Sequence, residues 1–128
     1  MTLREAVATY LQDELEFTGS IFFVPFPHSA DEGVTILDQG QWSTDASKLR
    51  AYPRLQLLFK AKTSAQCAQW ANAAYLALNT GRPFSFTPSY RVGRCRASGP
   101  PLSLGADALG LHRRTLDLEI SMRYGADI

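Results

Sequence analysis

The chain has 128 residues, 45% of them hydrophobic, with 13 basic and 12 acidic side chains and a formal net charge of +1. That length suits one domain spanning residues 1–128, with a core that needs no metal or disulfide staple, and the balanced charge gives no support to a protein whose main work is coating nucleic acid. No apolar run approaches the ~20 residues of a membrane span, and the N-terminus reads as a helix rather than a signal peptide, so cytoplasmic synthesis is expected.

Thr2 and Glu5 form a capping box ahead of a helix over 2–16, whose apolar stripe is Leu3, Val7, Tyr10, Leu11 and Leu15. Gly19 and Ser20 break it, and residues 21–24 read as a buried strand stopped by Pro25 and Pro27. A turn at Asp31 to Gly33 leads into a short strand over 34–37. Residues 39–52 are rich in Gly, Ser, Thr and Asp, with Trp42 and Leu49 as the large apolar anchors, and read as a long polar loop.

Over 54–62 the residues alternate strictly. Leu55, Leu57, Phe59 and Ala61 share one face, while Arg54, Gln56, Lys60 and Lys62 share the other together with Leu58, the pattern of a strand buried on one side. Thr63 is placed to cap a helix, with Gln66 completing a capping box. Cys67, Ala71, Ala74, Tyr75 and Leu78 make that helix's inner stripe, and the turn over 81–83 ends it. Residues 84–86 and 90–97 read as weaker strands. A second long loop, rich in Gly and Pro, covers 98–110. A clear strand over 115–124 then places Leu116, Leu118, Ile120, Met122 and Tyr124 inward and Thr115, Asp117, Glu119, Ser121 and Arg123 outward.

The expected fold is therefore α+β: a single twisted, mixed, mainly antiparallel sheet of four to six strands, with two helices packed on one face and two long loops. Cys67 and Cys95 lack Cys or His neighbours at ligand spacing, so neither a metal site nor a disulfide is expected, and no cofactor is implied.

Catalytic chemistry is thin. His28, Ser29 and Asp31 are too close in sequence to converge as a triad, and His112 stands beside Arg113 before a strand. No glycine-rich phosphate loop or dinucleotide fingerprint occurs. The charge is more informative. Residues 1–50 hold three basic side chains against eight acidic ones, whereas residues 82–114 hold six arginines against Asp107 alone. If folding keeps the two apart, such a division suits head-to-tail contact between identical subunits, which closes into a ring when the rotation is right. Candidate interface residues are Trp42, Asp45, Lys48, Arg50, Arg91, Arg94, Arg96, Asp107, Arg113 and Arg114. Trp42 either tucks under its loop or anchors a partner. In a continuous strand Arg94 and Arg96 share one face and Arg91 takes the other; they either meet a neighbour or line a channel for nucleic acid.

The capped first helix, the segment PFPHSADEGVTILDQG from Pro25 to Gly40, the strand entry Tyr52-Pro53-Arg54-Leu55-Gln56-Leu57, the alanine-rich helix and the closing GPPLSLGADALGLHRRTLDLEISMR together resemble the small tail-terminator and minor-capsid proteins of long-tailed bacteriophages. The resemblance covers nearly the whole chain. It implies a non-enzymatic virion protein, assembled in the host cytoplasm, that forms a homo-oligomeric ring, commonly a hexamer, at the head-proximal end of the tail tube. The ring's partners would be the tail-tube protein and a neck or head-completion protein, with DNA passing through the lumen and no membrane involved. The alternatives are a head-completion or head-tail joining ring protein, a small nucleic-acid-binding α/β domain using Tyr90 and the nearby arginines, and a small hydrolase or transferase.

Overall fold

The computed structural model describes residues 1–39, 43–44 and 50–123. Among them are two helices, α1 (Leu3–Asp13) and α2 (Ser64–Leu78), and the strands β1 (Ser20–Phe22), β2 (Gly33–Asp38), β3 (Ser43–Thr44), β4 (Arg50–Tyr52), β5 (Arg54–Ala61), β6 (Phe84–Thr87), β7 (Tyr90–Val92), β8 (Arg94–Ala97), β9 (Leu102–Ala106) and β10 (His112–Arg123).

Helix α1 begins as its sequence dictates. The Thr2 hydroxyl accepts from Glu5 N (3.3 Å), and the Glu5 carboxylate accepts from the Thr2 hydroxyl (2.9 Å) and from Thr2 N (3.2 Å), bonds that hold the Glu5 carboxyl below its ordinary range. Helix α2 is capped by Thr63, whose hydroxyl accepts from Gln66 N at 3.1 Å.

The class is the expected one, an α+β fold with an open, mixed, mainly antiparallel sheet. Eight of the strands join that sheet and β6 and β7 form a separate hairpin. Register explains why eight strands occupy only five lanes. Both β4 and β5 pair antiparallel with β10 in one uninterrupted register, Ala51 opposite Met122 and Leu55 opposite Leu118. They are one line of chain interrupted at Pro53, which has no N–H to give but offers its carbonyl to Ile120 N at 2.9 Å. Likewise β2 and β3 flank that line on its other side, and β8 and β9 lie one after the other along the far side of β10.

The register also sets the two faces. Leu57 lies between Ile36 and Leu116, and Phe59 opposite Val34, so one face is a continuous apolar surface on which both helices pack through Leu3, Val7, Leu11, Cys67, Ala71 and Leu78. Small residues in α2 let its backbone come close to the sheet. The β6–β7 hairpin is held on α1 by aromatic edges: Tyr10 meets Phe84 at 5.2 Å and Phe86 at 6.2 Å.

Several boundaries differ from expectation. The loop over 39–52 ends in β4, and the loop over 98–110 contains β9. The strand expected over 90–97 breaks at Gly93 into β7 and β8, which belong to different sheets. β10 starts at His112, three residues early, because Ala61 and Ala106 pair with His112 on either side. β1 is half-exposed rather than buried. Lys60, expected in water, is only 5% exposed: its ammonium donates to Ser29 O at 3.0 Å and sits 4.5 Å from the centre of the Phe26 ring. Tyr124 lies outside the described residues.

Both thiols are free and buried. Burial pushes the Cys95 thiol up to about 12 and raises that of Cys67 as well. A thiol-reactive disulfide reagent at mildly alkaline pH is therefore expected to label neither cysteine in the native protein and both after denaturation. Rapid stoichiometric labelling without denaturant would show that the α2–β10 packing opens readily.

Candidate assembly surface

The sheet face opposite the helices gathers part of the arginine set. Cα pairing places Arg94 opposite Ser121 and Arg96 opposite Glu119, while Cys95 faces the core opposite Ile120. Arg54 is also opposite Glu119 across β10 and forms an ion pair with it at 3.5 Å. Arg50 reaches the same neighbourhood: its Nε and Nη2 donate to Ser121 Oγ at 3.0 and 2.7 Å. Arg50, Arg54, Arg94 and Arg96 thus surround one carboxylate, Glu119, and one hydroxyl, Ser121. Gln39 and Gln56 donate to the neighbouring Asp117 carboxylate at 3.2 and 3.3 Å.

Gly93 makes this cluster possible. A Cβ there would lie 1.9 Å from Arg50 Nη2 and 3.1 Å from Ser121 O. Gly93→Ala is expected to expel the guanidinium from Ser121 and to cost about 1–3 kcal/mol, the worth of charged hydrogen bonds whose acceptor is left buried. In an Arg50→Ala background the same substitution should cost much less, and equal losses in both backgrounds by chemical denaturation would show that the clash lies elsewhere.

The other predicted residues scatter. Arg91 is exposed on β7, paired with Ser85 in the separate hairpin. Arg114 is registered opposite Phe59, on the helix-bearing side, where its charge acts on Cys67. Arg113 stays on the open face and donates through Nη2 to Leu104 O at 3.3 Å. Asp107 organises the turn between β9 and β10: its carboxylate accepts from Leu111 N and Leu109 N, each at 2.9 Å, and these bonds hold its carboxyl below the usual range. Trp42, Asp45 and Lys48 lie outside the described residues. His28, Ser29 and Asp31 form a polar turn in which the Asp31 carboxylate accepts from His28 N at 2.8 Å. Among the described residues no cluster of His, Cys, Asp or Glu could hold a metal ion.

The sequence reading missed the β9 arm. All five of its residues are exposed, Leu102 by 64% and Leu104 by 43%, and Leu109 at the following turn by 59%. The alternation Leu102-Ser103-Leu104 was the available signal, obscured by Pro100, Pro101 and Gly105.

The family model described as bacteriophage tail terminator protein matches residues 10–124. The chain belongs to that family. The match takes in every strand of the sheet, α2 and the last turn of α1. No curated protein matches the chain significantly. A tail terminator is a structural protein of the phage tail. No helix among the described residues is long and apolar enough to cross a membrane.

Proposed function

We propose that residues 1–128 act as one domain whose copies form a ring, six to the ring, at the head-proximal end of the tail tube. The ring stops tube growth, offers the neck or head-completion protein its attachment surface and leaves a lumen for DNA. The observation that carries this reading is the placement of charge in the folded chain. Arg94 and Arg96 lie on the sheet face opposite the helices, while Asp13, Glu14 and Glu16 are exposed at the C-terminal end of α1 on the helix side. The ion pairs Arg4–Asp38 (3.4 Å) and Lys62–Glu32 (3.8 Å) take up other acidic residues of the first part of the chain. Opposite charge on opposite faces favours heterologous contact over a two-fold dimer through either face, which would set like against like.

The deciding experiment is mass measurement and negative-stain imaging of the purified protein, alone and mixed with tail-tube protein. Rings capping tube ends are the expected result. A protein that stays monomeric at high concentration, with tube protein present, would overturn the proposal.

A further inference from the structure

Between the end of α1 and the first half of α2 a groove is left open on the helix side. The chain leaving α1 turns back there, and the Phe17 N–H donates to Leu11 O at 3.0 Å. The Phe17 and Trp70 rings, both half-buried, lie 4.8 Å apart and line a groove of about 200 Å³ together with Leu11, Leu15, Glu16 and Gln66. Its wall is apolar and aromatic, and its rim carries a carboxylate. Glu16 is exposed and has no ion pair among the described residues, and none of the 15 residues of α2 is charged, so nothing on that helix neutralises it. An aromatic surface beside an unpaired carboxylate suits a guanidinium, which stacks flat on a ring while its N–H groups donate to the carboxylate.

The other face of the sheet carries such a group. Arg96 is exposed on β8 and registered opposite Glu119, but the ion pair of that carboxylate is made by Arg54 from the other side, and Arg96 has no ion pair among the described residues. We infer that Arg96 of one subunit enters the Phe17–Trp70 groove of the next, its guanidinium on the aromatic wall and against Glu16. This rests on the ring reading above and names the contact between the arginine face and the acidic side. The occupant is a second copy of this chain because every copy carries an unsatisfied cation on one face and an unsatisfied carboxylate on the other, and contact between unlike faces repeats from subunit to subunit. Arg91 is exposed too, but it sits on the hairpin held against α1, on the helix side. Seating it in the groove would join helix sides to each other and close a pair rather than a ring.

Glu16 also has a φ of 51°, in the left-handed region where glycine is at ease. Glu16→Gly therefore suits the backbone while removing the carboxylate, and it separates a structural role from an assembly role. The full-length variant should keep or raise its melting temperature and yet lose about tenfold in assembly affinity at low salt, the order expected for a desolvated cation on an aromatic ring and a carboxylate. Charge exchange supplies the second measurement. Arg96→Glu and Glu16→Arg should each weaken ring assembly, and the protein carrying both should recover it. Normal assembly of Glu16→Gly, or no recovery in the double variant while wild-type rings form, would overturn the contact and leave the ring standing. Recovery by Arg91→Glu with Glu16→Arg instead would overturn it in favour of the hairpin. Free rings intact in Glu16→Gly, with only the capping of tubes lost, would overturn it by assigning the groove to the tube protein. A wild-type protein that forms no rings, alone or on tubes, would remove the ring reading and this contact with it.

Discussion

Phe59→Ala is expected to lower the unfolding free energy by about 3–5 kcal/mol, the range for deleting a buried aromatic ring and leaving a cavity behind it. Phe59 is fully buried and sits in the middle lane of the sheet, between Val34 on β2 and Arg114 on β10. Phe17 meets its ring edge-on at 6.3 Å, and Cys67 of α2 donates its thiol to the Phe59 carbonyl at 3.6 Å. The residue therefore joins the turn after α1, helix α2 and three lanes of sheet, so no neighbour can move in to fill the space without disturbing another contact. A domain of this size has about 5–15 kcal/mol of total stability, and the substitution removes a large share of it. Chemical denaturation followed by circular dichroism measures the loss. A change below about 1 kcal/mol would mean that the site collapses freely, contrary to the packing described here.

The parts of this fold that were legible in sequence are those where local chemistry and burial agree. Thr2 with Glu5 and Thr63 with Gln66 mark helix starts at the right residues, and the alternation from Leu55 to Ala61 marks a one-sided strand. The reading stopped where proline and glycine imply loops. Ala51 and Pro53 are buried on the same alternation as Leu55, so the inward pattern runs unbroken from Ala51 to Ala61; Pro53 interrupts the hydrogen-bond ladder without ending the line. β9 was hidden by a different cause. Its residues are not buried by their own chain, so burial supplies no pattern, and only register with β10 makes it a strand. Gly93 illustrates a third. At the break between β7 and β8 its N–H donates to Ser121 O and the space a Cβ would fill is taken by the distant Arg50, contacts that no local window contains. For the same reason Arg91 and Arg94, three residues apart, belong to different sheets, and the candidate set divides in a way that spacing alone could not show.

Reversing Arg94 and Arg96 to glutamate is expected to abolish ring assembly at low ionic strength and to do so far more than neutralising both to glutamine. Arg96 is exposed and Arg94 half-buried on β8, in the same lane as the β9 edge and within the span over which charge acts at modest salt, a Debye length of ~10 Å at 0.1 M. Each exposed pair contributes only about 0–1 kcal/mol. A ring repeats each contact in every subunit, however, and reversal adds repulsion from the neighbour's acidic side to the attraction it removes. One internal effect must be separated from this. Arg96 lies opposite Glu119, so glutamate there sets two carboxylates side by side across the strands and weakens the fold slightly. The Arg94→Gln, Arg96→Gln protein avoids that repulsion, and its melting curve supplies the reference. Light scattering across a salt series reads the result. A reversal defect that shrinks as salt rises is the signature of charge steering between subunits. Rings that form equally well at every salt concentration, combined with impaired DNA passage or ejection in assembled particles, would assign these arginines to the lumen instead.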